Sequence, residues 1–395
     1  MRRLTALGAL VAASLLAASC SAGSGSGSTQ ATNTVTISNE NGALWTCNFS
    51  PFNGSDTLLS VGFVYEPLVF VNALQNGKTT PMLATSWSWG AGNKSLTFTI
   101  RKNVKFSDGT TMTPADVVYT FNLLKKYPAL DLTGDWAVLS SVTQTGSDQV
   151  TMAFKQPAVP AFYYIAGQTP IVPEHIWSKI SNPVSFADAN PVGTGPYKVN
   201  PCTKQNITYT ANPHYWQPGL PKVTKVQYPA FTSNNTANDQ LANGQAQWGS
   251  QYIPSIQSFY VAKSPNHHYW FPPTVNVSLV PNLTNSLLSN VKVREAMAYA
   301  IDRSKVSSIG ESGYEPPANQ AGIVTPTFSS WLDSSLTGKY NYSYDPAKAK
   351  QLLASAGFTM GSDGIMANAK GQKLSFTVIN IGDYSDWVAS MQVVA

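Results

Sequence analysis

The sequence predicts an α/β fold in which strands and helices alternate along the chain without an internal repeat. Two observations carry this prediction. Apolar residues alternate from Leu96 to Ile100 with the two-residue period of a half-buried strand, whereas Val293, Ala296 and Met297 recur at the spacing of an amphipathic helix. Both periods appear several times, so the two kinds of element are expected to pack against each other.

The remaining elements are predicted in chain order from the same signals. Strands are expected within 34–39, 96–100, 104–106, 146–157, 223–231, 245–249, 267–285 (strand, turn, strand) and 373–381. Helices are expected from 114, at 172–180, 235–244, 290–308 and 345–357, and at the end of the chain. The helix at 345–357 has the clearest limits, because Asp345 caps it, Pro346 starts it and Gly357 ends it.

Composition excludes some classes of function. Only 11% of the 395 residues are charged, and the formal net charge of +5 is not gathered into a basic run. A nucleic-acid-binding surface is therefore not predicted. Abundant neutral polar and aromatic residues are typical of a secreted protein that binds other molecules through hydrogen bonds and ring faces.

The amino terminus has the three regions of a secretory signal: Arg2 and Arg3, an apolar run from Leu4 to Leu16, and small residues just before Cys20. The run is shorter than the roughly 20 residues of a membrane-spanning helix. Residues 1–19 are predicted to be a signal peptide. Cys20 resembles the lipidated cysteine of bacterial lipoproteins, although Ala17 stands where that motif usually has Leu; simple secretion is the alternative.

Residues 20–33 are rich in glycine and serine and are predicted to be a flexible linker. If lipid occupies Cys20, Cys47 and Cys202 remain as an even pair in an oxidising compartment, which makes them disulfide candidates. Two buried free thiols are the alternative.

The stretch KFSDGTTMTPADVVYTF at 105–121 carries two acidic residues between apolar runs, as a catalytic loop can. Asp108 and Gly109 instead form a strong turn signal. Thr113 is placed to cap a helix that Pro114 begins, and Asp116 falls three positions later, where it closes a capping box. Both carboxylates are therefore interpreted as structural.

No motif for a catalytic serine, zinc protease, phosphate-binding loop or paired-cysteine metal site is found, and no cofactor or metal is predicted. A secreted glycoside hydrolase is the enzymatic alternative. Its acids would come from Glu66, Asp108, Asp116 and Glu174, but that reaction needs two carboxylates facing one bond. The prediction is that the protein is not an enzyme.

Several stretches, in order along the chain, resemble the extracytoplasmic solute-binding proteins of ABC importers, family 5, which bind peptides, nickel or oligosaccharides. They are VYEPLV and PMLATSWSW, LTFTIRKNVKFSDGTTMTPADVVYTF, NPVGTGPYKV and NPHYW, NVKVREAMAYAIDRSKV, and YDPAKAKQLLASAGF. The resemblance covers the chain from about Thr34 onward. Members of the family continue well beyond the length of this chain, so the sequence is expected to be truncated.

The resemblance implies a two-lobed fold like that of periplasmic binding proteins. Lobe I is expected at 34–79 and 192–274, an extra subdomain of that lobe at 80–191, and an incomplete lobe II at 275–395. Hinges are expected at 192–197 and 272–275. The aspartate that pairs with a peptide's amino terminus in oligopeptide-binding members has no counterpart here.

The implied function is to capture an oligopeptide between the lobes and deliver it to a membrane permease, with an oligosaccharide as the alternative ligand. The protein is expected to be a monomer held by lipid at the outer face of the cell membrane. Predicted ligand-binding residues, chosen as aromatic or polar groups near the expected cleft, are Phe52, Tyr65, Glu66, Trp248, Tyr252, Trp270 and Asn276. Asn276 is expected on a strand that an extended ligand could pair with.

Overall fold

The structure is a computed structural model that describes residues 33–40, 44–54, 57–382 and 384–395. The predicted signal peptide, Cys20 and most of the predicted linker lie outside the described residues. The strands are β1 Thr34–Glu40, β2 Val69–Asn72, β3 Lys78–Pro81, β4 Ala84–Trp89, β5 Ser95–Ile100, β6 Leu139–Gln144, β7 Gln149–Phe154, β8 Tyr197–Cys202, β9 Asn206–Ala211, β10 Lys225–Phe231, β11 Trp248–Ser250, β12 Phe358–Met360 and β13 Met366–Asn368.

The helices are α1 Thr57–Ser60, α2 Pro114–Lys126, α3 Asp135–Val138, α4 Phe162–Gly167, α5 Glu174–Trp177, α6 Asn234–Ala242, α7 Ile256–Phe259, α8 Val291–Ala300, α9 Arg303–Lys305, α10 Ser334–Lys339, α11 Pro346–Ser355 and α12 Ser385–Val394. Strands and helices are thus mixed along the chain, and the α/β prediction is confirmed. Among the described residues, none of the helices combines the length and apolar character needed to cross a bilayer.

Two larger sheets and the two-stranded sheet of β2 and β3 lie in the described residues up to Ser250. A five-stranded sheet has the order β11-β1-β10-β9-β8, with β1 parallel to both of its neighbours and β8, β9 and β10 antiparallel. A four-stranded antiparallel sheet has the order β4-β5-β7-β6. The second sheet is formed entirely by residues between the first and later strands of the first sheet. The predicted limits of the lobes and the subdomain stay a prediction.

The four-stranded sheet shows why the alternating pattern of β5 was a reliable signal. Leu96, Phe98 and Ile100 point into one core, where they meet Val117 and Phe121 of α2. Alternate residues of a strand face opposite sides of a sheet, so an alternating sequence buries one whole face. The predicted strand at 96–100 and the predicted helix from 114 are both confirmed.

The acidic residues of the 105–121 stretch make hydrogen bonds at the start of α2 and in the turn before it. Thr113 and Asp116 form the predicted capping box of α2. Asp116 also accepts a hydrogen bond of 3.0 Å from the backbone N–H of Glu174, which ties the start of α2 to α5. Asp108 accepts from the backbone N–H of Thr110 at 2.9 Å and pairs with His175 Nε2 at 2.7 Å. The structural interpretation of the two carboxylates agrees with these contacts.

The long helix predicted at 290–308 is interrupted. Helix α8 ends at Ala300, Ile301 is extended, and the Asp302 side chain accepts hydrogen bonds of 3.2 Å from the backbone N–H groups of Ser304 and Lys305. Asp302 therefore caps a new helix, α9. An aspartate competes for backbone N–H groups and favours helix starts over helix interiors, which explains the break.

Strands predicted in 267–285 and 373–381 are wrong. Among the described residues, neither segment pairs with a strand, apart from an isolated bridge of Lys373. Val280 is 89% exposed although it lies in an alternating apolar run. Alternation expresses a preference for an extended, half-buried backbone, but a strand forms only where a partner supplies the hydrogen bonds.

Candidate functional site

The glycine-rich crossing at 190–197 is packed directly against the backbone at 63–65. The N–H of Gly195 donates to the carbonyl oxygen of Val64 at 2.8 Å, and that of Tyr197 donates to the carbonyl of Phe63 at 2.9 Å. A Cβ on Gly193 would lie 2.0 Å from the Val64 carbonyl oxygen. These contacts form a close junction between the crossing and residues 63–65, and the hinge predicted at 192–197 stays a prediction.

Glu66 lies next to this junction and is only 1% exposed. Its carboxylate accepts three side-chain hydrogen bonds: from the Thr194 hydroxyl at 2.9 Å, the Tyr215 hydroxyl at 3.0 Å and the Trp216 indole N–H at 2.9 Å. Burial raises the pKa of Glu66 to about 7, and the three hydrogen bonds and Arg101 act in the opposite direction.

Arg101 completes the surroundings of Glu66 without forming an ion pair at contact distance. Its guanidinium lies 4.2 Å from the centre of the Trp216 ring, and its Nε donates to the carbonyl of Met82 at 2.8 Å. The Glu66 carboxylate is thus satisfied by protein groups from distant parts of the chain. Glu66 therefore has a structural role in the described part of the chain, and the ligand contact predicted for it stays a prediction.

Tyr65 and Phe52 are also core residues. The Tyr65 hydroxyl donates to Asp188 at 2.5 Å, and Phe52 packs edge-on against Trp177 with ring centres 5.4 Å apart. Burial raises the pKa of Asp188 to about 6 and that of Tyr65 well above its ordinary value. Both side chains are packed in the core, although Phe52 also lines a cavity of about 370 Å³, and the ligand contacts predicted for them stay predictions.

Two predicted residues are prominently exposed. Trp248 begins the edge strand β11 and is 64% exposed, and Trp270 is 65% exposed. Exposed tryptophans are unusual because a large ring left in water forgoes substantial hydrophobic stabilisation. Trp331, which the sequence did not single out, is 69% exposed as well, and the binding roles of Trp248 and Trp270 stay a prediction.

Tyr252 belongs to a group of rings that we call the ring chain: Tyr252, Tyr314, Phe271 and Tyr269. Successive ring centres are 6.3, 5.2 and 5.1 Å apart. The Tyr252 hydroxyl also makes a 2.5 Å hydrogen bond with Ser312. Sequence reasoning identified Tyr252 but missed Tyr314, because residues 62 positions apart give no local signal of contact.

Asn276 is half-buried on a segment that forms no strand, so the part of its prediction that depended on a strand is wrong. Val275 and Val277 beside it are 73% and 56% exposed. No contact of the Asn276 side chain supports or contradicts a role in binding, and that role stays a prediction.

The disulfide candidates are joined in the structure. Cys47 and Cys202 form a bond that links the segment before α1 to the end of β8, across a sequence separation of 155 residues. The bond therefore ties the first part of the chain to the five-stranded sheet.

Residues 78–395 match the bacterial extracellular solute-binding proteins, family 5 (middle), and the chain belongs to this family. The fold is accordingly the two-lobed α/β fold of periplasmic binding proteins. The predicted family and fold class are confirmed.

The relatives show what the chain is similar to. It is 30% identical over 326 residues to the glutathione-binding protein GsiB of Salmonella paratyphi A, an alignment covering 79% of this chain and 59% of GsiB. The periplasmic oligopeptide-binding protein of Thermotoga maritima, solved with mannohexaose bound, superimposes with a TM-score of 0.80 at 27% identity, covering 93% of this chain and 70% of the other.

A third relative shows the fold alone: the oligopeptide-binding protein AppA of Bacillus subtilis, solved with a nonapeptide, has a TM-score of 0.69 at 24% identity, covering 87% of this chain and 68% of AppA. These relatives are binding proteins and not enzymes. The hydrolase alternative is set aside, because Glu66, Asp108 and Asp116 are held by protein groups.

Proposed function

We propose that this protein captures an oligomeric solute outside the cytoplasm and delivers it to the permease of an ABC importer. Membership of the family and the similarity to GsiB support this proposal. The ligand enters between the lobes and stabilises the closed arrangement, since it binds that arrangement better than the open one. The segments 192–197 and 272–275 remain the proposed hinges. No covalent step is required.

For the ligand, the sequence placed an oligopeptide first, but the described surface favours an oligosaccharide. The observation that carries this choice is the exposure of Trp248 and Trp270, together with the ring chain. Flat rings stack on sugar faces, whereas peptide termini require fixed opposite charges. Glu66, the acid expected to meet a ligand cation, is buried and engaged. The mannohexaose found in the Thermotoga relative supports the same choice.

Calorimetry tests the ligand class. Mannohexaose and a cello-oligosaccharide are titrated into the protein, with glutathione and a tripeptide in parallel. The expected result is binding of a saccharide that weakens at least tenfold in Trp248→Ala, because each stacked ring contributes on the order of 1.4 kcal/mol or more.

Tyr164→Ala is the matched control, since Tyr164 is an exposed ring of α4 and no ligand contact is proposed for it. Tight binding of glutathione or the tripeptide, unaffected by Trp248→Ala, would return the oligopeptide to first place.

We also propose that lipid on Cys20 holds the protein, as a monomer, at the outer face of the membrane. Mass spectrometry of the protein from a membrane fraction should show a lipid-modified amino terminus, and Cys20→Ser should release the protein into the medium. Light scattering of the released protein should give the mass of one chain. Retention of the Cys20→Ser variant in the membrane would contradict the anchor.

A further inference from the structure

A cavity in the later part of the chain is lined by none of the residues assigned to the proposed ligand. It has a volume of about 480 Å³, is open to solvent, and forms between the start of α9 and two loops at 317–321 and 340–344. Small-molecule sites usually measure about 300–1,000 Å³. None of the predicted ligand-binding residues is among those that line it.

The walls of this cavity are fixed by hydrogen bonds. Gln320 clamps the backbone of Tyr342, accepting from its N–H at 3.1 Å and donating to its carbonyl oxygen at 3.3 Å. Arg303 donates to the same carbonyl and to that of Ala298 at 3.0 Å. Two side chains from different segments therefore hold the 340–344 loop in place, and the cavity is formed before any ligand arrives.

The charged groups at the cavity are already used by the protein. Asp302 accepts hydrogen bonds from backbone N–H groups at the start of α9. Arg303 donates hydrogen bonds to backbone carbonyls. Both side chains therefore already have partners within the protein. The formal charges of Asp302 and Arg303 cancel, and the other residues that line the cavity are uncharged. An uncharged ligand is the better match.

Apart from Pro317, Ala318, Gln320 and Ala321, the other lining residues carry neutral hydrogen-bonding groups or rings. They are Ser304, Asn319, Asn341, Ser343, Tyr340 and Tyr344. The two tyrosines are 37% and 51% exposed, which leaves ring surface for stacking. Amides and hydroxyls can both donate and accept, as the hydroxyl groups of a sugar require.

We propose that this cavity binds a neutral mono- or disaccharide, with a sugar ring against Tyr344 and hydroxyls on Asn341 and Ser343. The inference rests on the lining groups of the cavity and not on the ligand class proposed for Trp248 and Trp270. The two sites can therefore be tested separately.

The experiment titrates glucose and cellobiose into the protein and follows binding by calorimetry and by chemical shifts of amides. Tyr344→Ala combined with Asn341→Ala should weaken binding at least tenfold. Tyr344→Phe should keep most of it, because the ring face remains. Tyr164→Ala, at an exposed ring that belongs to neither proposed site, serves as the control and should leave this binding unchanged. Thermal unfolding of each variant verifies that it is folded.

Three results would overturn the proposal. The first is the absence of saturable binding of either sugar up to roughly 10 mM, which corresponds to a negligible affinity. The second is binding that Trp248→Ala abolishes and the double variant leaves intact. The third is displacement of the sugar by dialanine, which would assign the cavity to peptides.

Discussion

Replacing Glu66 tests the claim that this carboxylate is a structural junction. In Glu66→Ala the hydroxyls of Thr194 and Tyr215 and the indole N–H of Trp216 lose their acceptor. Each buried donor left without a partner costs about 1–3 kcal/mol. Thr194 is fully buried, whereas Tyr215 and Trp216 regain some water, so we expect a loss of about 3–5 kcal/mol in the free energy of unfolding.

Glu66→Gln should behave differently. The amide oxygen still accepts from Thr194 and Trp216, and the amide N–H₂ donates to the Tyr215 oxygen, because a phenol hydroxyl can also accept. All three partners stay satisfied. We expect this variant to be within about 1 kcal/mol of the wild type near pH 5.

The pH dependence of stability distinguishes the protonated from the ionised form of the Glu66 carboxyl group. Its pKa is about 7 in the folded protein and 4.5 ordinarily, so the folded state holds the proton more tightly. Its contribution to stability is therefore fully present below about pH 4.5 and is lost as the pH rises to about 7. At about 1.4 kcal/mol per pKa unit, the loss is about 3 kcal/mol.

Urea unfolding of the wild type and of Glu66→Gln at pH 5 and pH 8 measures this difference. The wild type should lose about 2.5 kcal/mol more than the variant over that interval, because the unfolded state is already partly ionised at pH 5. Glu174→Gln, at an exposed glutamate, should follow the wild type. Parallel pH profiles for the wild type and Glu66→Gln would refute the assignment of a buried proton to Glu66.

Three further predictions concern the framework. Gly195→Ala should destabilise the protein by about 3 kcal/mol or more, because its Cβ would lie 2.5 Å from the Phe63 carbonyl oxygen. Gly54→Ala is the control and should be nearly neutral, because nothing lies within 4 Å of its Cβ. Thermal unfolding measures the difference between the two variants. Reducing the disulfide bond between Cys47 and Cys202 should lower the free energy of unfolding by about 2–5 kcal/mol, which is measured as a lower urea midpoint. An unchanged midpoint would contradict a role of this bond in stability. Asp116→Ala should lower the free energy of unfolding by about 1–2 kcal/mol in urea, because the cap of α2 is lost. Ligand affinity measured by calorimetry should stay the same. A large loss of affinity would instead indicate that the carboxylate is functional.

Local signals in the sequence determined much of the fold. The capping box of α2 and the cap of α11 were predicted at the residues where they occur, because a helix start depends on groups within about four positions. The strand β5 was equally clear, since alternation records which face is buried. The family could also be recognised, because its motifs keep their order along the chain.

Tertiary structure alone decided which groups meet. Glu66 accepts hydrogen bonds from Thr194 and Trp216, which lie 128 and 150 positions away along the chain. No pattern in the neighbouring residues predicts such partners. The same holds for the segment around Val277, where the strand preference is present but no strand within the described residues lies beside it. A preference for a conformation is written into neighbouring residues, whereas burial and pairing depend on what the rest of the chain brings alongside.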